Sequence, residues 1–323
     1  MKVVVTGGAG YIGSICVEQM LNADLQVVVF DNLTEGHRAA VDPRAQFIEG
    51  DLGNRDQIFE AIAKHKPDAV MHFAANALVS ESMTNPSKYF RNNVSNGINL
   101  IDAMVAGGVK KLVFSSTCAT YGMPEKVPID ERQPQKPINP YGQSKLMFEH
   151  ILKWYDQIHG LVHVNLRYFN AAGASEKLGE DHRVETHLIP NVLKVALGQK
   201  ENVEIYGSNY PTPDGTCIRD YIHIFDLATA HMLALKRETS SFYNLGTGEG
   251  YSVQQVIDVA RKVTKQLIPS VSKLARPGDP PRLVASSHKI TQELKWKPKY
   301  QRLNAIIESA WAWHKKHPKG YGD

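Results

Sequence analysis

Residues 6–13 read TGGAGYIG, and this stretch decides the fold. Gly7, Gly10 and Gly13 give a G-x-x-G-x-x-G spacing, and Gly8 with the last two also fits G-x-G-x-x-G. Such a turn adopts a positive φ, lets the backbone approach a pyrophosphate and packs a helix on a strand. The helix that follows offers free N–H groups and its positive dipole end to an anion. The stretch therefore predicts a dinucleotide phosphate turn, although a plain strand–helix connector can have the same spacing.

Acidic and small residues follow at the ends of the next predicted strands. Asp31 ends the second strand 18 residues after Gly13. A carboxylate there can accept both ribose hydroxyls and repels a 2′-phosphate, which favours NAD over NADP. Residues 50–52 (GDL) could hold the adenine edge, or Asp51 could be a solvated turn residue. Residues 73–75 (FAA) supply small side chains where a cofactor would pass, or simply end a strand.

The first half of the chain alternates β-branched runs with segments of helical spacing. Six runs read as buried strands: 3–6, 27–31, 45–49, 69–74, 111–115 and 162–167. This alternation predicts a Rossmann-type, doubly wound parallel α/β sheet with helices on both faces. We expect residues 1–175 to form this domain, with a returning segment near 217–240. Residues 176–323 should form a smaller α/β domain that binds the substrate, with helices near 188–198 and 252–266.

Tyr141 and Lys145, in PYGQSK (140–145), stand at i and i+4, so on a helix they share one face. A nearby ammonium and a positive nicotinamide would lower the phenol pKa and make Tyr141 a general base. Ser115 and Thr117 lie at the end of the fifth predicted strand, at the edge where parallel sheets bind ligands. Thr117 could hydrogen-bond the reacting hydroxyl. Alternatively, Tyr141 and Lys145 could lie on an ordinary surface helix, and the hydroxyl at the strand end could be a local cap. Neither arrangement would have a catalytic role.

Composition excludes several classes of protein. The net charge is only +4, and the sequence has no cluster of Lys and Arg residues. We therefore expect no nucleic-acid partner. No apolar run is long enough to cross a bilayer, and the first strand begins too early for a signal peptide. Three scattered cysteines favour reduced thiols and a cytoplasmic location. Most of the 13 histidines fall singly without ligand spacing, and we expect no metal.

Several stretches together resemble UDP-glucose 4-epimerases of the extended short-chain dehydrogenase/reductase family. They are TGGAGYIG (6–13), DNL (31–33), SST (115–117) with Y-x-x-x-K, RYFNAAGA (167–174), YPTPDGTCIRDYIHIFDLA (210–228) and WAWHKKHPKGYGD (311–323). The resemblance spans essentially the whole chain. The stretch 210–228 is the most specific part, because it lies outside the generic cofactor half.

The resemblance implies an NAD-dependent 4-epimerase that interconverts UDP-glucose and UDP-galactose in galactose metabolism. Tyr141 would remove the proton of the sugar 4-hydroxyl, with Thr117 and Lys145 completing the catalytic set. The implied cofactor residues are Gly7, Gly10, Tyr11, Ile12, Gly13, Asp31, Asn32, Asp51, Leu52, Phe73, Ala74, Ala75, Asn92, Ser115, Tyr141, Lys145 and Phe169. The implied substrate residues are Thr117, Tyr141, Asn170, His187, Leu188, Tyr206, Arg219, Arg276, Asp279 and Leu283. By the same resemblance, helices near 92–106 and 142–158 would form a homodimer; otherwise both faces are covered within the monomer.

The sequence departs from the family at some positions. Many members have Asn at the place of His187, and some have Lys at the place of Ala77. In the family, the residue at the position of Leu283 sets the size of the sugar that is accepted, and Leu283 is neither the bulky nor the small residue found there. N-acetylated UDP-sugars therefore remain an alternative substrate. Pentose and uronic acid nucleotides are a further alternative. Related dehydratases carry acids after the threonine, where this chain has Cys118 and Ala119. A non-catalytic NAD sensor is the alternative from another class of protein, although sensors typically lose the catalytic pair.

Overall fold

The computed structural model describes residues 1–276 and 279–322. Its strands are β1 Lys2–Thr6, β2 Gln26–Asp31, β3 Gln46–Glu49, β4 Ala69–His72, β5 Lys111–Thr117, β6 Val162–Tyr168, β7 Asn170–Ala172, β8 Val203–Tyr206, β9 Ile218–His223, β10 Ser241–Leu245, β11 Gly250–Ser252, β12 Ser270–Lys273 and β13 Arg282–Leu283. Its α-helices are α1 Tyr11–Asn22, α2 Arg55–His65, α3 Val79–Thr84, α4 Pro86–Phe90, α5 Asn96–Ala106, α6 Pro140–His159, α7 Leu188–Ala196, α8 Ile224–Ala234, α9 Val253–Thr264, α10 His288–Leu294 and α11 Leu303–Lys316. The described helices include none long and apolar enough to span a membrane.

Seven strands form one parallel sheet in the order β10-β6-β5-β4-β1-β2-β3. Alternate residues of each strand point to opposite faces, and both faces are buried. Val3 and Val5 pack toward α1 and α8, whereas Val4 packs toward α2, α5 and α6. The predicted doubly wound sheet is therefore confirmed. Fully burying such side chains contributes about 1.5–3 kcal/mol each.

Several strand boundaries differ from the sequence prediction. β4 ends at His72 instead of Ala74, because the N–H groups of Phe73 and Ala74 both turn to the carbonyl of Thr6. β5 runs to Thr117, two residues past its predicted end. The segment that returns to the large sheet extends past residue 240, since the sheet takes up Ser241–Leu245 as β10. The sequence analysis placed no strand there, because SFYNL is short and lacks clear alternation.

Smaller elements lie beyond the carboxyl end of the large sheet. β9 pairs with β7, β11 and β13, and β8 pairs with β12. A separate apolar core joins α7, α9 and α11, with Val192, Ile257 and Ile306 fully buried in it. The helices predicted near 188–198 and 252–266 are confirmed as α7 and α9.

Local signals explain where α6 begins and ends. Asn139 accepts a hydrogen bond from the N–H of Gly142 (2.8 Å), and Pro140 occupies the first helical turn. Gly160 ends the helix in the left-handed conformation, with φ of +64°. This 20-residue helix packs on the same face of the sheet as α2 and α5 and carries Tyr141 and Lys145 in its first two turns.

Candidate active site

The glycine turn after β1 is shaped by close backbone contacts. Gly7 has φ of +75°, and a Cβ there would lie 2.4 Å from the nitrogen of Ala74. A Cβ on Gly13 would lie 2.1 Å from the carbonyl oxygen of Gly7. At Gly10 the nearest atom to a Cβ is the Gly7 oxygen, at 3.4 Å. Glycine is thus required at positions 7 and 13 because a side chain would collide with the protein backbone there. At Gly10 the space is open and can accept a ligand.

The amino end of α1 fits a pyrophosphate. Gly10 caps the helix without any side-chain hydrogen bond, so the first N–H groups of α1 are not covered by a capping side chain. Asp31 lies beside this end, and its two oxygens accept the N–H groups of Ala9 and Leu33, both at 2.9 Å. Burial raises the pKa of Asp31, and these two hydrogen bonds oppose the shift. A carboxylate has about four acceptor sites, so capacity remains for ribose hydroxyls.

Further predicted cofactor residues lie around this turn. Asn32 donates to the carboxylate of Asp51 at 2.7 Å, which links the ends of β2 and β3. The Leu52 carbonyl accepts from Asn99 at 2.8 Å. Ile12 lies in the first turn of α1 beside Tyr11, whose hydroxyl donates to the carbonyl of Gly173 at 2.6 Å.

Asn93 is a site residue that the sequence analysis missed. It is buried, accepts from the N–H of Asn76 (2.9 Å) and donates to Ser144 (3.0 Å) and Asn76. It therefore ties the segment after Ala75 to α6. A π-helical turn over Arg91–Ser95 presents it together with Asn92, which donates to its side-chain oxygen at 3.1 Å. The irregular turn is the kind that often marks functional positions, but periodicity alone does not reveal it.

The structure brings Thr117, Tyr141 and Lys145 together at the carboxyl edge. Thr117 ends β5, and its side chain lies close enough to Tyr141 on α6 to affect the phenol pKa. The Lys145 ammonium donates to the carbonyl of Ser115 at 2.8 Å and lies 4.9 Å from the centre of the Phe114 ring. The Ser115 hydroxyl is hydrogen-bonded to Tyr168. A hydroxyl, a phenol and an ammonium thus line one buried corner, the arrangement expected of a proton-transfer site.

Burial dominates the electrostatics of this corner. Burial raises the pKa of Tyr141 to about 12, and the nearby Thr117 hydroxyl only partly lowers it. Burial also lowers the pKa of Lys145 to about 7, against the opposing charge of Glu149. The chain alone therefore does not lower the phenol pKa, and the predicted lowering by Lys145 together with a positive nicotinamide stays a prediction. Burial removes the phenolate from water, and this destabilises the charged form of Tyr141. The partly protonated amine of Lys145 does not offset that cost.

A buried ion pair behind Lys145 was also missed. Glu149, one turn along α6, accepts from Arg167 at 2.5 Å and from Ser116 at 2.5 Å. Burial disfavours the carboxylate, yet these donors hold the pKa of Glu149 below its usual range. A buried charge persists only when paired in this way. The pair fixes the helix turn that carries Lys145 to the ends of β5 and β6.

Arg219 and Asp279 form an ion pair on the substrate side of the site. Arg219 lies on β9 opposite Leu283 on β13, and its guanidinium also donates to the carbonyl of Ile218 at 2.8 Å. Arg276 stacks over the ring of Tyr206, with 4.0 Å between the guanidinium carbon and the ring centre. Two guanidinium groups and an aromatic ring are thus gathered near one end of β8 and β9, a combination that suits phosphates and a base.

The remaining predicted substrate residues connect this region to the catalytic edge. Phe169 and Leu283 pack in one apolar cluster that also contacts Cys118, directly after Thr117. Asn170 begins β7 and pairs with Tyr221. His187 and Leu188 lie at the start of α7, with His187 as the capping residue.

A loop before α7 gathers side chains that the sequence analysis treated as isolated. Glu180, His182, Glu185 and His187 each offer a ligand-type atom, and these atoms all lie within 4.8 Å of one another. We call this group the loop cluster. Burial disfavours a charged imidazole, but Glu180 and Glu185 outweigh this and raise the pKa of His187 to about 9. The spacing E-x-H-x-x-E-x-H was the signal in the sequence that could have found it.

Comparison with known proteins agrees with this geometry. Residues 3–246 match the model of the NAD dependent epimerase/dehydratase family. The chain is 51% identical to the UDP-glucose 4-epimerase of Lacticaseibacillus casei, covering 100% of this chain and 99% of that protein. The crystal structure of UDP-glucose 4-epimerase from Brucella ovis with NAD has a TM-score of 0.93 at 44% identity, covering 96% and 97% of the two chains. That from Bifidobacterium longum with NAD+ and UDP has a TM-score of 0.95 at 37% identity, covering 99% and 100%.

Proposed function

The chain belongs to the NAD dependent epimerase/dehydratase family, and from this we propose that it interconverts UDP-glucose and UDP-galactose by 4-epimerisation. The observation that carries the proposal is the meeting of Thr117, Tyr141 and Lys145 at the sheet edge. It stands beside a glycine turn that fits a dinucleotide. The reaction needs no net oxidant, since the carbon that is oxidised is reduced again on its other face.

NAD is the cofactor, and the residues around the turn fit it. The uncapped amino end of α1 would receive the pyrophosphate, with Gly10 leaving room for its approach. Asp31 would hold the ribose hydroxyls. When bound, NAD supplies the hydride acceptor and a positive charge. The chain's own contribution is to fix these groups and to exclude water from the buried corner.

The catalytic residues move one proton. Tyr141 would accept the proton of the sugar 4-hydroxyl, and Thr117 would hold that hydroxyl through its own hydrogen bond. The ammonium of Lys145 would stabilise the phenolate that forms. Because the protein alone holds the phenol pKa at about 12, the base becomes effective only with further positive charge in the site. The same phenol returns the proton after the 4-keto sugar has turned.

The residues after Thr117 argue against elimination. Burial raises the pKa of the Cys118 thiol to about 12, and Ala119 has no ionisable group. Neither can protonate a leaving hydroxyl near neutral pH. A dehydratase would need an acid at these positions.

The nucleotide would bind on the β8–β9 side. Arg219 and Arg276 would pair with the diphosphate, where a guanidinium fork matches phosphate oxygens. Tyr206 would flank the uracil, and Asp279 would hold the uridine ribose. Asp279 now pairs with Arg219, so binding would exchange this ion pair for one with phosphate. Asn170 and the backbone at 187–188 would complete the contacts.

We also propose a homodimer formed through α6. Met147, Trp154 and Ile158 are 37%, 64% and 68% exposed and repeat along one side of the helix. Their exposure argues against the alternative that the monomer covers this face. A second copy is the simplest cover for an apolar stripe on the proposed pairing helix.

Two further assignments rest on the same proposal. Residues 1–175, with the returning α8 and β10, would bind NAD, and residues 176–323 would bind the nucleotide sugar. Cys16, Cys118 and Cys217 are free thiols, which supports a reducing, cytoplasmic location.

The direct test is to incubate the purified protein with UDP-galactose and no added reductant, then separate the UDP-sugars. UDP-glucose should appear, and the same final ratio should be reached from either sugar. If UDP-galactose stays unchanged while NAD is bound, the substrate assignment fails, and N-acetylated, pentose and uronic acid nucleotides are tested next.

A further inference from the structure

The loop cluster has the composition of a transition-metal site. Two imidazoles and two carboxylates come from eight residues of one loop. The carboxylates of Glu180 and Glu185 are only 5% and 4% exposed, whereas His182 and His187 are 26% and 41% exposed. Nitrogen and oxygen donors of this kind suit Zn²⁺ and its neighbours in the first transition row better than Mg²⁺ or Ca²⁺.

The distances within the cluster are close to those of a tetrahedral site. His182 Nε2 and His187 Nδ1 each lie 3.2 Å from Glu180 Oε1, and His187 Nδ1 lies 2.9 Å from Glu185 Oε1. Zinc bonds of about 2.0–2.1 Å place tetrahedral donors about 3.3 Å apart. Three donor pairs are therefore within about 0.4 Å of the required separation, and all the donor atoms lie within 4.8 Å of one another.

The backbone that carries the cluster is held from several sides. Before the cluster, the Tyr11 hydroxyl donates to the carbonyl of Gly173 at 2.6 Å and the Trp313 indole donates to that of Lys177 at 3.1 Å. Asp181, inside the cluster segment, accepts the N–H of Tyr321 at 2.9 Å. A loop held in this way presents its ligands with little ordering left to do, which favours binding.

We propose that Glu180, His182, Glu185 and His187 bind one divalent transition-metal ion, with Zn²⁺ the preferred ion. The proposed site does not include Thr117, Tyr141 or Lys145, but it lies beside Tyr11 and shares His187 with the predicted substrate residues. A metal ion there goes beyond the proposed epimerisation. The ion would fix the loop against the start of α7 and thereby stabilise the folded chain.

Full-length protein, freed of metal with a chelator, is titrated with Zn²⁺ by calorimetry in the presence of excess Mg²⁺. We expect one ion per chain and a higher melting temperature with Zn²⁺. Co²⁺, used as a spectroscopic probe, should give the visible absorption of a four- or five-coordinate site. These measurements do not depend on turnover, so they remain valid if the substrate assignment fails.

His182→Ala removes one ligand and should weaken Zn²⁺ binding by at least about tenfold. Glu180→Gln keeps the size of the side chain, removes the carboxylate that touches both histidines and should have the same effect. His288→Ala removes an exposed histidine outside the cluster and should bind like the wild type. Both cluster variants are compared with the wild type in the metal-free state by circular dichroism, and either one, if folded, decides the test.

Equal affinity in the wild type and in a folded cluster variant would overturn the proposal, because the ion would then be adventitious. A six-coordinate Co²⁺ spectrum, unchanged in the cluster variants, would overturn it as well. Loss of the single tight site in either folded cluster variant, with His288→Ala unaffected, would support it.

Discussion

The side chains of Thr117 and Tyr141 lie close together although they belong to different elements, the end of β5 and the first turn of α6. Asn139 and Pro140 start α6 at the position that makes this contact. The buried Glu149–Arg167 pair holds the same helix to the sheet two turns later. The proton-transfer pair is therefore fixed by the fold before any ligand binds.

We predict that Tyr141→Phe retains NAD and loses turnover by about 10²–10⁴-fold, because only the proton acceptor is removed. Turnover is measured from UDP-galactose, and bound NAD is measured on the same preparation. Tyr243→Phe is the matched control. It removes a phenol hydroxyl that binds Glu293 at 2.7 Å, away from the corner, and should keep wild-type turnover. Wild-type rates in Tyr141→Phe would contradict the mechanism.

The glycine turn offers a second prediction. Gly10→Ala should fold with a free energy of unfolding within about 1 kcal/mol of the wild type, since its Cβ meets nothing closer than 3.4 Å. It should nevertheless bind NAD much more weakly, because the methyl group occupies the approach of the pyrophosphate. Gly13→Ala should lose stability even without NAD, because its Cβ would lie 2.1 Å from a backbone oxygen. Urea unfolding and NAD titration of both variants separate the two effects. Unchanged NAD affinity in Gly10→Ala would contradict the assigned pyrophosphate position.

Local signals explain why the large sheet and the turn could be predicted from the sequence. The glycine spacing, the β-branched strands and the start of α6 depend on residues close together in the chain. Asn93 could not be found in this way, because its partners Asn76 and Ser144 are 17 and 51 residues away. Its role follows only from the way the π-helical turn meets α6.

The electrostatics were harder to predict, for a different physical reason. The spacing of Tyr141 and Lys145 indicates that the two side chains are neighbours, but not how much water surrounds them. Burial decides both pKa values, and it depends on the whole fold. Similarly, His187 reads as a single histidine until the loop brings Glu180 and Glu185 against it.

The exposed stripe on α6 gives a third prediction. Trp154→Glu combined with Ile158→Lys should convert a dimer of twice 36.0 kDa into a monomer, because charges would be buried in the interface. Sedimentation equilibrium at micromolar concentration measures the change. Leu267→Glu is the control, since Leu267 is 90% exposed but lies outside α6. A wild-type protein that sediments as a monomer would refute the dimer.

Lys145 gives a prediction about pH. Burial lowers its pKa to about 7 in the folded protein, below its ordinary value near 10.5. Between these two pH values the unfolded chain binds more protons than the folded one, so this group makes stability rise with pH. The destabilisation is complete below about pH 7 and has disappeared by about pH 10.5, and it amounts to a few kcal/mol at most.

Lys145→Met removes the titrating group and keeps most of the apolar stem. Relative to the wild type, the variant should therefore be favoured most at pH 6.5, and this advantage should shrink steadily toward pH 10. The test is urea unfolding of both proteins at several pH values without added NAD. Lys153→Met, a change of the same kind on the exposed side of α6, should give a difference that does not vary with pH in this range. A difference between Lys145→Met and the wild type that stays constant from pH 6.5 to 10 would mean that the buried amine keeps an ordinary pKa, and Lys145 would then be a full cation beside Tyr141 at neutral pH.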